Sequence, residues 1–157
     1  MPHDAQLPPS LCPPDNASLV IRLALEEMQQ PYETVLIDRR GGALDSPAYR
    51  SLNPQGLIPV LETPAGTLFE TGAILLWLAD RHAALLPMAD SPDRGWTLKW
   101  LFFLSNTLHA DLRMLFYPQK YIGDDLAQQD TLHRHLTARL TTHLSTLERA
   151  ASDGGIW

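Results

Sequence analysis

Residues 57–61 read Leu-Ile-Pro-Val-Leu, an apolar run suited to a strand but with a proline at its centre. Proline brings no N–H to a ladder, so such a run must sit at a sheet edge, at a bulge or in a special turn. Upstream lies Asn53-Pro54-Gln55-Gly56, a turn sequence. Downstream lies Thr63-Pro64-Ala65-Gly66, a hairpin turn that leads into Thr67-Leu68-Phe69. The spacing predicts two antiparallel strands around that turn. Whatever fold the chain adopts has to build on this hairpin and its misplaced proline.

The flanking pattern alternates between helix and strand. Leu19, Val20, Leu23, Ala24 and Met28 recur at helical spacing, with the capping side chains of Asp15, Asn16 and Ser18 before them. This predicts a helix over about 18–29, ended by Pro31. Residues 32–37 read as a strand, Ser46-Pro47 as the start of a short helix, and Glu70-Thr71-Gly72 as the cap of a very apolar helix over 73–82. Pro2, Pro8, Pro9, Pro13 and Pro14 crowd the opening, so any strand there is an edge strand or a broken one.

Beyond a linker at 85–92 the pattern is wholly helical. Ser91-Pro92-Asp93 reads as a cap, a first-position proline and a first-turn acid, opening a helix that runs to about Tyr117 and stops at Pro118. Leu101, Leu104, Leu108, Leu112 and Leu115 form its stripe. Leu132, Leu136, Leu140, Leu144 and Leu147 form the stripe of a last helix over about 125–151. Two such helices cannot bury both stripes on each other alone. The apolar ending Gly154-Gly155-Ile156-Trp157 leads us to expect a further C-terminal portion beyond it.

Composition removes several function classes. A net charge of −6 without a basic run argues against binding nucleic acid. A lone cysteine, Cys12, excludes an internal disulfide framework and a Cys-rich metal site. The longest wholly apolar run, residues 73–79, is far short of the roughly 20 residues of a membrane span. The N-terminus lacks the layout of a signal peptide. The expectation is a cytoplasmic protein that binds neither membrane, metal nor nucleic acid.

Asn53-Pro54-Gln55-Gly56-Leu57-Ile58-Pro59-Val60-Leu61, followed by Leu68-Phe69-Glu70-Thr71-Gly72-Ala73-Ile74, resembles the glutathione-binding half of cytosolic glutathione S-transferases. The run from Ser18 to Glu27, then Pro31-Tyr32-Glu33, is similar to that family's first helix and second strand, and residues 101–117 to the first long helix of its bacterial members. The resemblance implies an α/β thioredoxin-like N-terminal domain over residues 1–84 and an all-α C-terminal helical domain, incomplete, over 90–157. Pro59 would then be a cis proline. It would turn the backbone of Ile58 outward, to hold the cysteinyl part of glutathione by its N–H and C=O. Glu70 would meet the ammonium of the γ-glutamyl group, and Thr71, at a helix start, its carboxylate. Gln55 and Asn53 would line the same cleft, and Arg39 or Arg40 would face the glycyl carboxylate.

Glutathione transfer needs a thiolate, and a free thiol near pKa 8.5 is mostly protonated at neutral pH. The resemblance places Ala17 where some bacterial members carry a cysteine. Three neighbours compete for the role of thiol activator. Ser18 would offer its hydroxyl, against a reading as plain helix cap. Asn16 would offer an amide N–H, against the same reading. Cys12 would form a mixed disulfide, against a reading as an inert apolar residue. Asn106, His109 and Arg113, spaced by three and four, form a polar stripe on the long helix; with Tyr117 they are the expected second-substrate face, and a solvated helix face is the alternative. His133, His135 and His143 read as surface residues with no metal-ligand pairing.

The resemblance thus implies a homodimeric detoxification transferase that uses glutathione as co-substrate and joins it to a small apolar electrophile. Three rivals stand beside it: a glutathione-dependent isomerase or reductase, a non-catalytic glutathione-binding protein, and a dithiol oxidoreductase. The last is disfavoured because it needs Cys-x-x-Cys.

Overall fold

The structure is a computed structural model that describes residues 10–11 and 17–154, with side chains from Ala17 onward. The chain divides into two compact units, with the boundary between Ser91 and Pro92.

In the first unit β1 (Ser10–Leu11) pairs in parallel with β2 (Val35–Leu36), and α1 (Leu19–Glu27) makes the crossover between them. After a 3-10 turn at Ala43–Asp45 come α2 (Pro47–Leu52), β3 (Val60–Thr63), β4 (Gly66–Phe69) and α3 (Thr71–His82). β3 and β4 pair antiparallel, as the hairpin sequence predicts, and their register runs from Val60↔Phe69 to Thr63↔Gly66. The ladder starts only at Val60, because Pro59 has no N–H to donate. The Ile58–Pro59 bond is cis. β2 is shorter than the six residues expected. Beyond α1, Gln29 takes a left-handed backbone at φ 53° and Gln30 N–H closes back on Leu25 O at 2.9 Å. This ends the helix two residues before the expected position.

The core of this unit joins Ile21 and Leu25 of α1, Leu61 of β3, and Ile74 and Leu78 of α3. The buried face of α1 matches the expected one in part: Ala24 is inside and Met28 packs on the core as expected, but Ile21 and Leu25 complete the face, whereas Leu19, Val20 and Leu23 are exposed. Residues 19–25 are apolar on nearly every side, so helical spacing alone cannot choose the buried stripe. α3 starts at Thr71, earlier than expected, and the Glu70 side chain makes no capping bond to it.

The second unit is all-helical. α4 (Arg94–Phe102), a π-helical segment (Phe103–Leu108) and α5 (His109–Phe116) follow one another without a break. α4 begins at Arg94 rather than at Pro92. Thr97 N–H bonds Asp93 O at 3.1 Å, which makes Asp93 the cap residue. α6 (Gln119–Ile122) follows Pro118, and α7 (Leu126–Ser152) completes the unit. Asp125 caps α7 by accepting from the N–H groups of Ala127 at 2.9 Å and Gln128 at 3.2 Å. α5 packs on α7, where Leu136 and Leu140 are buried but Leu144 is exposed. The thioredoxin-like first unit and all-α second unit agree with the fold class expected from the sequence.

Candidate functional site

The register of the hairpin creates the site. Val60 lies opposite Phe69, so the next residues outward, Pro59 and Glu70, leave the ladder at the same end, followed by Ile58 and Thr71. Sequence positions more than ten apart thereby meet. Among the described residues, no backbone hydrogen bond involves the N–H or C=O of Ile58.

The loop that delivers Ile58 is tightly built. Asn53 is buried, with 3% of its surface exposed. Its Oδ1 accepts from Gln55 N–H at 3.0 Å, and its Nδ2 donates to Leu57 O at 2.7 Å. Tyr49 Oη donates to the same Leu57 O at 2.9 Å. Asn53 is thus a structural brace; the expected cleft contact from its side chain is not what it makes. Gln55 is exposed at the tip. Gly56 sits at φ 64°, where a Cβ would stand 3.0 Å from Leu44 O. Only glycine closes this turn without displacing backbone.

Glu70 has φ 72° and ψ 113°, a strained backbone for a residue with a side chain. Its carbonyl still accepts from Ile74 N–H at 3.0 Å. The exposed carboxylate and the N–H groups of the first turn of α3 are consequently presented together. That end can meet a cation and an anion side by side, which is what an amino acid group offers. Arg39 and Arg40 are exposed in their loop.

Ser18, expected at the helix start as a hydroxyl donor, does precede α1, but it is 2% exposed and makes no side-chain cap. Asn16 and Cys12 lie outside the described residues. Asn106, His109, Arg113 and Tyr117 all fall in the second unit. Asn106 lies in the π segment and accepts from Ser105 Oγ at 3.1 Å, His109 opens α5 and is exposed, Arg113 is half-buried, and Tyr117 ends α5 with Lys120 Nζ 5.3 Å from its ring centroid. The π turn was invisible to a reading that assumed one regular helix from 92 to 117.

A further cluster escaped the sequence reading. Asp111, 1% exposed, takes Arg139 Nη2 at 3.0 Å and His143 Nε2 at 3.2 Å. The His143 ring stands edge-on to Phe103 at 5.7 Å between centroids. His143 is therefore not the surface residue its sequence context suggested. The four-residue step from Arg139 to His143 was the available signal. Among the described residues no group of three or more His, Cys, Asp or Glu is arranged to hold a metal ion.

An antiparallel hairpin entered by a proline, a helix launched from a strained acidic residue and a separate all-α unit define the glutathione-transferase type of fold. Comparison with known proteins agrees. Residues 17–81 match the glutathione S-transferase N-terminal domain family. The chain is 29% identical over 148 residues to the glutathione S-transferase GST-4.5 of Xanthomonas campestris pv. campestris, covering 89% of this chain and 72% of the relative. It is 34% identical over 90 residues to the disulfide-bond oxidoreductase YfcG of Escherichia coli K12, covering 53% and 41%. A glutathione transferase from Pseudomonas putida, solved with one glutathione disulfide bound per subunit, superimposes with a TM-score of 0.79 at 25% identity, covering 96% of this chain and 66% of that one. Residues 17–81 thus carry a glutathione S-transferase N-terminal domain, and the chain as a whole is similar to glutathione S-transferases.

Proposed function

We propose that the chain binds glutathione at the mouth of the β3–β4 hairpin and directs its thiolate at a small apolar electrophile. The observation that carries this reading is the Val60↔Phe69 register, which sets Ile58-Pro59 beside Glu70-Thr71. Glu70 takes the ammonium of the γ-glutamyl group. Thr71, by its hydroxyl and the first N–H groups of α3, takes the carboxylate. Ile58 pairs with the cysteinyl backbone through its N–H and C=O in the manner of an added strand, with Pro59 fixing its direction and Gln55 closing the rim. The attacking sulfur forms a C–S bond, and the leaving group departs with the electron pair. Asn106, His109, Arg113 and Tyr117 form the face for the second substrate, in a homodimer.

Calorimetric titration of glutathione into wild type, Thr71→Ala and Glu70→Gln tests the site. Loss of a hydrogen bond to a charged group predicts a weakening of about tenfold or more for each variant. Unchanged affinity in both overturns the γ-glutamyl assignment. Light scattering checks the dimer, which a monomer at micromolar concentration contradicts.

A second reading has its own support. The burial of Ser18 weighs against its hydroxyl as the donor to a bound thiol, which favours glutathione binding without turnover. A panel of electrophiles separates the two. Conjugation that survives Ser18→Ala moves the activating role to Asn16 or Cys12, and no conjugation beside intact binding establishes the second reading.

A further inference from the structure

Two side chains meet on one carbonyl at the entrance to β3. Tyr49 lies in α2 and Asn53 is its C-terminal cap, four residues on and on the same face. Tyr49 Oη donates to Leu57 O at 2.9 Å, and Asn53 Nδ2 donates to it at 2.7 Å. Both residues are buried, at 4% and 3% exposure. A carbonyl has room for two donors, but one is enough to offset its burial. The second, brought in by a large buried ring, calls for a reason.

The Leu57–Ile58 peptide lies outside the β3–β4 ladder, which starts at Val60. Among the described residues, no backbone group bonds Leu57 O or Ile58 N–H. The sheet therefore does not fix how this peptide plane is rotated about its flanking bonds. The two side-chain donors do. The peptide is trans and planar, so its N–H points opposite to its C=O. Holding Leu57 O against Tyr49 and Asn53 turns Ile58 N–H away from them. Donors on Leu57 O also polarise the peptide and make its N–H a better donor. The platform is itself held in place. Ser46 Oγ accepts from Tyr49 N–H at 3.1 Å and donates to Ala43 O at 2.7 Å. Arg50 donates to Pro54 O at 2.8 Å and to Asp45 Oδ1 at 2.6 Å.

We propose that Tyr49 is a positioning residue for ligand binding: through Leu57 O it aims Ile58 N–H at the carbonyl of the cysteinyl residue of glutathione. The inference rests on the reading of Ile58 as the partner of the cysteinyl backbone, and adds to it a side chain that acts only through another residue. Asn53 shares the carbonyl, but its Oδ1 also accepts from Gln55 N–H at 3.0 Å and so shapes the loop as well. The Tyr49 hydroxyl is the separable half of the pair. Its removal leaves the ring in the core, the loop closed and Leu57 O still bonded by Asn53, while the peptide plane loses one of its two restraints.

The test titrates three reduced ligands into wild type and Tyr49→Phe by calorimetry: glutathione, γ-glutamylcysteinamide and γ-glutamylcysteamine. The last keeps the γ-glutamyl group, the amide N–H that faces Ile58 C=O and the thiol, but lacks the carbonyl that Ile58 N–H meets. The expected result is a loss of about threefold to tenfold for glutathione and γ-glutamylcysteinamide, the worth of one neutral hydrogen bond, and unchanged affinity for γ-glutamylcysteamine. A merely structural role weakens all three alike, and that outcome overturns the proposal, as does equal affinity of the two proteins for every ligand. Wild type that binds no glutathione overturns the reading of the site and the proposal with it. Wild type that binds glutathione without preferring the cysteinamide to the cysteamine removes Ile58 N–H from the contacts, and with it the role of Tyr49. Denaturant unfolding reads whether Tyr49→Phe folds. Should it not, Tyr49→3-fluorotyrosine, a more acidic phenol of nearly the same shape, repeats the test with the opposite sign. γ-Glutamylcysteinamide then gains on γ-glutamylcysteamine, and an unchanged ratio overturns the proposal.

Discussion

The two units are held together by different physics. In the first, the deepest residues are Ile74 and Leu78, both 0% exposed, and the buried polar side chains among the described residues, Ser18 and Asn53, carry no charge. In the second, a carboxylate, Asp111, is as deep as Leu136, each at 1%. Apolar burial is non-directional and tolerates sliding, whereas an acid that must meet Arg139 and His143 at set distances fixes where α5 sits along α7. The comparison teaches that the hairpin unit draws stability from its core and the helical unit draws register from an ion cluster.

The largest effect should come from breaking the apolar side of this contrast. Ile74→Ala removes a fully buried side chain between α1, β3 and α3, and should cost about 2–5 kcal/mol in denaturant unfolding of the first unit. Amide exchange at Leu78 should accelerate accordingly while that at Leu140 stays unchanged. Loss of protection at both would show that the units unfold as one.

Asp111→Asn comes next. It leaves Arg139, which is 59% exposed, to solvent and removes only the anionic acceptor, so about 1–3 kcal/mol is expected. Asp111→Leu sharpens the point. Apolar replacement is often nearly neutral only when the buried pair is exchanged as a whole, so His143→Leu accompanies Asp111→Leu, and Arg139 stays in solvent. If this double variant keeps stability but broadens the NMR signals of α5 and α7, the carboxylate serves register. If it lowers stability as much as Asp111→Asn does, the contrast between the units fails.

The same contrast explains what was legible in the sequence. Turn chemistry at Asn53-Pro54-Gln55-Gly56 and Thr63-Pro64-Ala65-Gly66 is local, so the antiparallel hairpin could be read directly, whereas the meeting of Ile58-Pro59 with Glu70-Thr71 was implied only by the family resemblance. The buried stripe of α1 could be read only in part, because Leu19, Val20, Ile21, Leu23 and Leu25 surround most of its first two turns and Arg22 alone interrupts them. The Asp111 cluster joins residues 28 and 32 positions apart, and no local signal announces a partner at that distance. The π segment depends on packing rather than on residue type. The brace made by Asn53 could not be told from a ligand contact in the sequence, since an Asx turn and a ligand contact call for the same side chain.

Smaller and of opposite sign is the effect of relieving Glu70. Its backbone at φ 72° costs an L-residue about 1 kcal/mol or more, and glycine does not bear that cost. Glu70→Gly should therefore raise the stability of the first unit by about 1 kcal/mol in denaturant unfolding, less any added freedom of the unfolded chain, while weakening glutathione. A variant that loses affinity without gaining stability would show that the strained backbone is already compensated elsewhere in the hairpin.

The smallest effects concern acid, and they place the two units in different pH windows. Burial, and then the neighbouring charge of Arg81, lower the pKa of His82 from 6.5. The unfolded chain therefore takes up this proton first as pH falls, so the first unit should begin to lose stability below about pH 6.5, and the loss should stop growing once the folded histidine is protonated too. Asp125 shifts downward from 3.8 because the N–H groups of Gln128 and Ala127 and the Gln128 side chain hold its ionised form. Its contribution to α7 is present above 3.8 and is lost as pH falls through the folded value. Amide exchange at Leu78 and at Leu140, followed from pH 7 to pH 3, should show the first unit loosening before the second. His82→Gln should flatten the upper window alone, and Asp125→Ala should remove the lower one while weakening α7 already at neutral pH. If both amides lose protection over one shared pH range, the units are coupled strongly enough that their separate forms of stabilisation cannot be told apart by acid.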